Sequence, residues 1–203
     1  IDKLGRFVSG DFLTAILSEY FLKKYPGSPI VYDIRASHAV PDIITKNGGK
    51  PLYNRVGHAY IKKRMSDEKA VFGGEVTGHY YFADFFYCDS GIAPMLFLME
   101  YLSQSPKRLD EILDDLGKVY FISGEINTKG ADAQKVFAQL KETYATDAKQ
   151  IIEIDGITME MSDWHFNVRA SNTEPLVRLN VEAKTKEMME QKRDEMLVII
   201  LGN

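Results

Sequence analysis

Two short segments of this 203-residue chain carry side chains dense enough to do chemistry. The first is Arg169-Ala-Ser-Asn-Thr173, closed by Glu174-Pro175. Arg169 offers a planar fork to two oxygens, and Ser171 and Thr173 each hold a hydroxyl proton to donate. Asn172 adds an amide donor and tolerates the left-handed backbone that turns successive N–H groups onto one anion. Together they suit a phosphate. The second segment is Gly73-Gly-Glu-Val-Thr-Gly-His79. Its glycines leave the backbone free to turn sharply around Glu75 and Thr77. Glu75 can accept from two vicinal sugar hydroxyls, and Thr77 can add one more bond. His79 carries an imidazole, which titrates near neutrality and could move a proton or contact a phosphoryl oxygen.

These segments need elements to hold them. Phe12, Leu13, Ile16, Leu17, Tyr20 and Phe21 fall on one helical face, and Tyr25-Pro-Gly-Ser-Pro29 breaks that helix. Strands are expected at Ile30–Ile34, Pro51–Tyr53 and Ala70–Phe72. Helices separate them: one capped by Ser37 and ended by Gly48-Gly49, and one from His58 to about Asp67. A strongly apolar helix is expected from Ile92 to about Ser103. Strands alternating with helices imply a parallel sheet with right-handed crossovers. Ligands in such sheets bind beyond the carboxyl ends of the strands. Arg35 follows the first strand, Arg55, Gly57 and His58 the second, and the Gly73 segment the third.

The second part of the chain has a different period. Ile122–Asn127 reads as a strand and Ala131–Tyr144 as a helix. Ile151–Ile154, Asp155-Gly156 and Ile157–Met161 read as a hairpin with a two-residue type I′ turn. Trp164, Phe166 and Val168 alternate with polar residues, as do Val177, Leu179 and Val181. That alternation implies an antiparallel sheet with one covered face, and a helix from about Thr185 to Leu201 can cover it. The change of character falls near Leu116 to Tyr120, so domains are expected at 1–118 and 119–203.

Composition narrows the function. Hydrophobic residues make up 45% and charged residues 27%, the balance of an ordinary soluble globule. A net charge of -4 argues against general nucleic-acid binding. The single cysteine, Cys88, excludes an intrachain disulfide and fits a reducing cytoplasm; its aromatic neighbours point to a buried, inert thiol. Trp164 and the Phe82–Tyr87 aromatics read as core. His38, His58, His79 and His165 show no paired ligand spacing, so no metal site is expected. No apolar run reaches transmembrane length, and Ile1–Arg6 lacks the apolar region of a signal peptide. The start, with no methionine and a helical pattern already under way at Phe12, reads as a cut from something longer. Each functional reading has a plain competitor. Arg35 can pair with Asp33, His58 can simply open a helix, and Arg169–Thr173 can be an ordinary hairpin loop.

Gly73-Gly-Glu-Val-Thr-Gly-His79 resembles the sugar-binding loop of the α-D-phosphohexomutases, and Arg169-Ala-Ser-Asn-Thr173 is similar to the phosphate-binding loop of their fourth domain. Val56-Gly-His58 with Ile61–Met65 resembles a further active-site segment. Cys88-Asp-Ser-Gly91, Ser123–Asn127 and Asp163–Asn167 look most like the bacterial phosphomannomutase branch. The resemblance covers essentially the whole chain. It implies the carboxy-terminal half of a four-domain isomerase of carbohydrate metabolism. The fold implied is a third domain with a mainly parallel mixed sheet, then a smaller α+β fourth domain with an antiparallel, TATA-box-binding-protein-like sheet. The activity implied is interconversion of hexose 1-phosphates and 6-phosphates, mannose or glucose, through a phosphoserine and a bisphosphorylated sugar intermediate. That serine and the magnesium-binding Asp-rich loop belong to the amino-terminal domains, the implied partners of this chain, so the fragment alone is expected to be inactive. Residue by residue, Arg35, His58 and His79 would stand at the reacting groups. Glu75 and Thr77 would hold sugar hydroxyls, with Thr77 replacing the usual serine. Arg169, Ser171, Asn172 and Thr173 would bind the phosphate that is not reacting. A stand-alone phosphosugar-binding module is the alternative, and a structural domain whose anion loop meets a partner's carboxylate is another.

Overall fold

A computed structural model describes residues 1–171 and 174–202. It divides into two compact units, Ile1–Lys118 and Val119–Asn203.

The first unit is built on a five-stranded sheet in the order β2-β1-β3-β4-β5. β1 (Pro29–Asp33) runs parallel to β2 (Lys50–Asn54) and to β3 (Phe72–Gly74). β4 (Tyr80–Phe82) and β5 (Cys88–Asp89) return antiparallel. Helices α1 (Gly10–Lys24), α2 (Ala39–Lys46), α3 (His58–Glu68), α4 (Ala93–Gln104) and α5 (Leu109–Gly117) complete it. Alternation along the strands gives each face its own helix. Ile30 pairs with Phe72, and Phe72 stacks on Phe21 of α1 with ring centroids 4.9 Å apart. Val31 points the other way, into a core with Ile61 and Met65 of α3.

The third strand starts two residues later than the apolar run suggests, so Gly73 and Gly74 lie inside it. They serve close approach there, and the sharp turn comes later, at Gly78 (φ +84°). A Cβ on Gly73 would stand 2.7 Å from Met65 Sδ, and one on Gly74 would fall on Thr14 of α1. The aromatic segment also departs from expectation. Phe82 is buried, but a 3₁₀ turn at Ala83–Phe85 and left-handed residues Phe86 and Tyr87 swing the chain outward. Phe85, Phe86 and Cys88 are exposed as a result, so Cys88 is not a core thiol.

In the second unit, β6 (Phe121–Ile122) and β7 (Ile126–Lys129) both pair with β11 (Leu176–Ala183). Gly124, with φ +70°, splits what reads in the sequence as one strand. β11 pairs with β10 (Trp164–Ala170), then come β9 (Ile157–Glu160) and β8 (Gln150–Ile152), all antiparallel. The β8–β9 hairpin is not a two-residue turn. Its last pair is Ile152 with Thr158, and four residues, Glu153–Gly156, join the two strands. α6 (Ala133–Tyr144) and α7 (Lys186–Leu201) bring Val136, Leu140, Met196 and Ile200 onto the sheet face carrying Phe166, Val168, Leu179 and Val181. Asp132 caps α6 and Thr185 caps α7 through side-chain oxygens that accept first-turn N–H groups. Among the described residues, no helix is long and apolar enough to cross a membrane.

Candidate functional site

The first unit concentrates polar side chains at the carboxyl ends of β1 and β3. Asp33 ends β1 and is fully buried. It accepts from Arg35 Nη2 at 2.9 Å and Nε at 3.1 Å, and from the Arg35 amide at 2.9 Å. Its Oδ2 also accepts the Val76 N–H at 2.8 Å, so Asp33 ties Arg35 to the Gly73–His79 loop. The loop closes on itself: the Glu75 N–H reaches the His79 carbonyl, and the Gly78 N–H the Glu75 carbonyl, each at 2.9 Å. The amino end of α1 backs it. Tyr80 donates to the Gly10 carbonyl at 3.2 Å, and a Cβ on Gly10 would collide with the loop backbone at Glu75, Val76 and Gly78. Asp11, buried in the first turn of α1, accepts from Ser9, from the Phe12 N–H and, at 3.0 Å, from the Ser37 N–H. Burial pushes the Asp11 carboxyl up, against the pull of those hydrogen bonds.

Glu75 is 3% exposed and accepts a hydrogen bond from the Tyr81 hydroxyl. Burial, then the Glu75 carboxylate, pushes the Tyr81 phenol well above its ordinary range, so the phenol remains a donor. Thr77 is exposed at the tip of the loop.

His58 and His79 meet edge to face, with ring centroids 4.3 Å apart, and the Tyr81 ring lies 5.7 Å from His58. His58 is the first residue of α3, after Gly57 (φ +127°), while His79 leads into β4. Asp89 of β5, which pairs with Tyr81, stands between them. Its Oδ2 lies 3.8 Å from His58 Nδ1 and 3.5 Å from His79 Nδ1, and its Oδ1 lies 3.2 Å from Lys62 Nζ. Desolvation works to raise the Asp89 carboxyl, but the Lys62 hydrogen bond and nearby positive charge outweigh it and hold it below the usual range. Sequence spacing did not reveal this cluster, whose members come from three elements. Its one local sign is that Lys62 follows His58 by four residues, which puts both on one face of α3.

The second unit places Arg169 within β10, ahead of the loop, with a side chain 5% exposed. It lies opposite Arg178 of β11, and both face Glu125. Arg178 Nη1 reaches Glu125 Oε1 at 2.9 Å, and Arg169 Nη2 stands 3.7 Å from Oε2. Arg178 also donates to Ser171 Oγ at 3.4 Å. Asn172 and Thr173 lie outside the described residues. Arg178 and Glu125 were not singled out in the sequence, although the alternation of β11 puts Arg178 on the face opposite Val177 and Leu179.

A family model described as "Phosphoglucomutase/phosphomannomutase, alpha/beta/alpha domain III" matches residues 9–120, and one described as "Phosphoglucomutase/phosphomannomutase, C-terminal domain" matches residues 125–198. The chain belongs to the phosphoglucomutase/phosphomannomutase family. Within that family, it is 41% identical over 200 residues to a phosphomannomutase of Escherichia coli, spanning 98% of this chain and 44% of that protein. It is 38% identical over 200 residues to a phosphomannomutase of Methanocaldococcus jannaschii, again spanning 98% and 44%. A crystal structure of a phosphoglucomutase/phosphomannomutase family protein from Burkholderia thailandensis superposes with a TM-score of 0.81 at 25% identity, over 96% of this chain and 42% of that one. The chain thus spans less than half the length of these relatives. The two domain types expected from the sequence, a mixed-sheet α/β domain and a smaller antiparallel α+β domain, are those of the family.

The residues described here do not suit magnesium. It takes oxygen ligands in near-octahedral array, whereas Asp33 and Asp11 are committed to Arg35 and Ser37, Glu75 offers a single carboxylate, and the Asp89 cluster is nitrogen-rich.

Proposed function

We propose that this chain supplies the sugar-hydroxyl and distal-phosphate recognition of a phosphohexomutase that interconverts hexose 1-phosphates and 6-phosphates. The observation that carries the reading is the Gly73–His79 loop. A buried carboxylate on a self-closed turn is bonded to Tyr81, whose ring meets one of two neighbouring imidazoles, in a unit of this family. In the mutase reaction one sugar must be bound in two opposite orientations. A carboxylate held by Tyr81 on a self-closed turn can accept the same vicinal hydroxyl pair from either direction, with Thr77 adding a bond at the tip. His79, with His58 beside it, takes the proton from the hydroxyl that receives the phosphoryl group. Asp89 faces the Nδ1 side of both rings, which favours an Nδ1–H tautomer and leaves Nε2 for the reacting groups. Arg35, locked by Asp33, adds fixed positive charge to this end of the sheet.

Arg169, Ser171, Asn172 and Thr173 take the phosphate that is not reacting, and Arg178 belongs with them because it bonds Ser171. Binding energy spent on that phosphate positions the reacting one. The phosphoserine, magnesium, bisphosphorylated intermediate and cytoplasmic setting of the full reaction are part of the same proposal, as are further domains supplied by the rest of such a protein. The relatives carry phosphomannomutase in their names, which supports mannose phosphates as substrates.

The test is kinetic and uses the full-length protein. Glu75→Gln should raise KM and lower kcat/KM for mannose 1-phosphate by roughly a hundredfold, and His79→Gln should lower kcat with less effect on KM. Arg178→Ala should weaken phosphosugar binding by roughly tenfold. Wild-type kinetics in Glu75→Gln and His79→Gln together would sink the reading. So would enzyme-like turnover by this chain alone, since the proposal places the transferring serine elsewhere.

A further inference from the structure

His58, His79 and Asp89 bring two imidazole nitrogens and a carboxylate oxygen within 4.8 Å of one another. We propose that these three residues form a binding site for one divalent transition cation of the zinc class, distinct in chemistry from a magnesium site.

The geometry is close to what such an ion needs. A tetrahedral zinc ion with bonds of about 2.0–2.2 Å sets its ligand atoms roughly 3.3–3.6 Å apart. Asp89 Oδ2 lies 3.5 Å from His79 Nδ1 and 3.8 Å from His58 Nδ1. Small side-chain rotations close the remaining gap, and all three side chains have room to make them, being 47%, 44% and 33% exposed for His58, His79 and Asp89. The same exposure leaves the fourth position open to water or a ligand. Two nitrogens and one oxygen select zinc, cobalt or nickel over magnesium and calcium, which favour all-oxygen shells.

Lys62 opposes the ion. Its ammonium lies 3.2 Å from Asp89 Oδ1 and places a positive charge beside the site. Lys62 therefore tunes affinity downward without being a ligand. That role separates this site from a generic sticky histidine pair, because neutralising Lys62 must strengthen binding. A bound ion takes the ring lone pairs of both histidines, so neither can accept a proton while it stays. The cation is thus an inhibitor of whatever proton transfer these rings perform.

Binding is measured on the 203-residue chain itself, so the outcome is independent of any sugar chemistry. Cobalt(II) serves as the spectroscopic probe and zinc(II) as the calorimetric ligand. About one ion per chain is expected, with a visible cobalt spectrum of low coordination number that zinc abolishes and excess magnesium leaves unchanged. His79→Gln, His58→Gln and Asp89→Asn should each weaken zinc binding by roughly tenfold or more, and Lys62→Gln should tighten it several-fold. Circular dichroism confirms that each variant is folded, and the half-exposed His58 provides a mild substitution should His79→Gln perturb the loop. Unchanged zinc affinity in both histidine variants would overturn the site, as would zinc-induced histidine NMR shifts confined to His38 and His165. Weaker binding in Lys62→Gln would overturn the role given to Lys62.

Discussion

Asp33 grips Arg35 with both carboxylate oxygens, at 3.1 Å and 2.9 Å, where the two side chains are 0% and 1% exposed. The oxygen that meets Nη2 also accepts the Val76 amide. One carboxylate at the end of β1 therefore fixes a cation and the loop that carries Glu75. A buried ion pair of this kind adds little net stability over an apolar pair, but breaking it is costly.

Asp33→Ala strands the Arg35 guanidinium without that carboxylate and frees the Val76 amide. The expected loss is about 3–5 kcal/mol in the unfolding free energy of the first unit. Asp33→Asn keeps one acceptor oxygen and should cost clearly less. Denaturant unfolding of the chain measures both. A loss below about 1 kcal/mol for Asp33→Ala would show that the pair does not organise the loop.

Gly74 supports a second prediction about the same loop. A Cβ there would fall on the Thr14 hydroxyl and stand 2.7 Å from its methyl and 2.9 Å from its Cβ. Thr14 is itself held by a bond to the Gly10 carbonyl at 2.8 Å, so it cannot easily give way. Gly74→Ala should destabilise by about 1–3 kcal/mol through overpacking. Adding Thr14→Ala removes two of the three obstructing atoms, so the double variant should be more stable than additivity predicts. A double-mutant cycle with no coupling would place the strain elsewhere.

Much of this was legible in the sequence because local signals agreed with the fold. The apolar spacing of α1 and the alternation of Trp164, Phe166 and Val168 each specify an element without outside help. Errors arose where tertiary contact sets the outcome. Gly73 and Gly74 read as turn formers, yet they are strand residues squeezed by Met65 and Thr14. Asp155-Gly156 reads as a tight turn, but the Ile152–Thr158 register demands a longer connection. Phe85 and Phe86 read as core and point outward, because left-handed backbone at Phe86 and Tyr87 overrides the pattern. Glu75, His79 and His58 stood out by type and motif. Asp89 and Lys62 did not, since only strand pairing and helix packing bring them beside the two histidines, and Arg178 and Glu125 did not, since only the pairing of β10 with β11 and β11 with β7 gathers them around Arg169.

Tyr20, Tyr101 and Tyr144 give a prediction in alkaline solution. Each phenol is pushed up to about 12, first by burial and then by a carboxylate partner: Glu100, Glu19 and Glu195 respectively. The unfolded value is 10.0. Below that pH both states keep the proton, and the stabilising effect is fully present. As pH rises from 10 toward 12, the unfolded chain ionises first, so stability falls across that window. Unfolding free energies measured through this range should decline, and Tyr20→Phe should make the decline shallower. An unchanged slope in that variant would remove Tyr20 from the linkage.

Gly156 links the hairpin to the proposed phosphate grip. Its φ is +68°, a conformation that costs an L side chain roughly 1–2 kcal/mol. A Cβ would also strike the Val168 carbonyl and lie 2.6 Å from both Cα and Cβ of Arg169. Two of those atoms are backbone of the central strand β10, which cannot retreat without breaking its pairing to β9 and β11. Gly156→Ala should therefore cost more than the backbone term alone, about 3 kcal/mol or more, and lower the melting point of the second unit. It should also shift Arg169 away from Glu125, so phosphate affinity falls further than stability explains. The two effects separate by titrating phosphosugar at a temperature where circular dichroism shows the variant fully folded. Normal phosphosugar affinity in that folded variant would mean that Arg169 does not depend on the hairpin for its position.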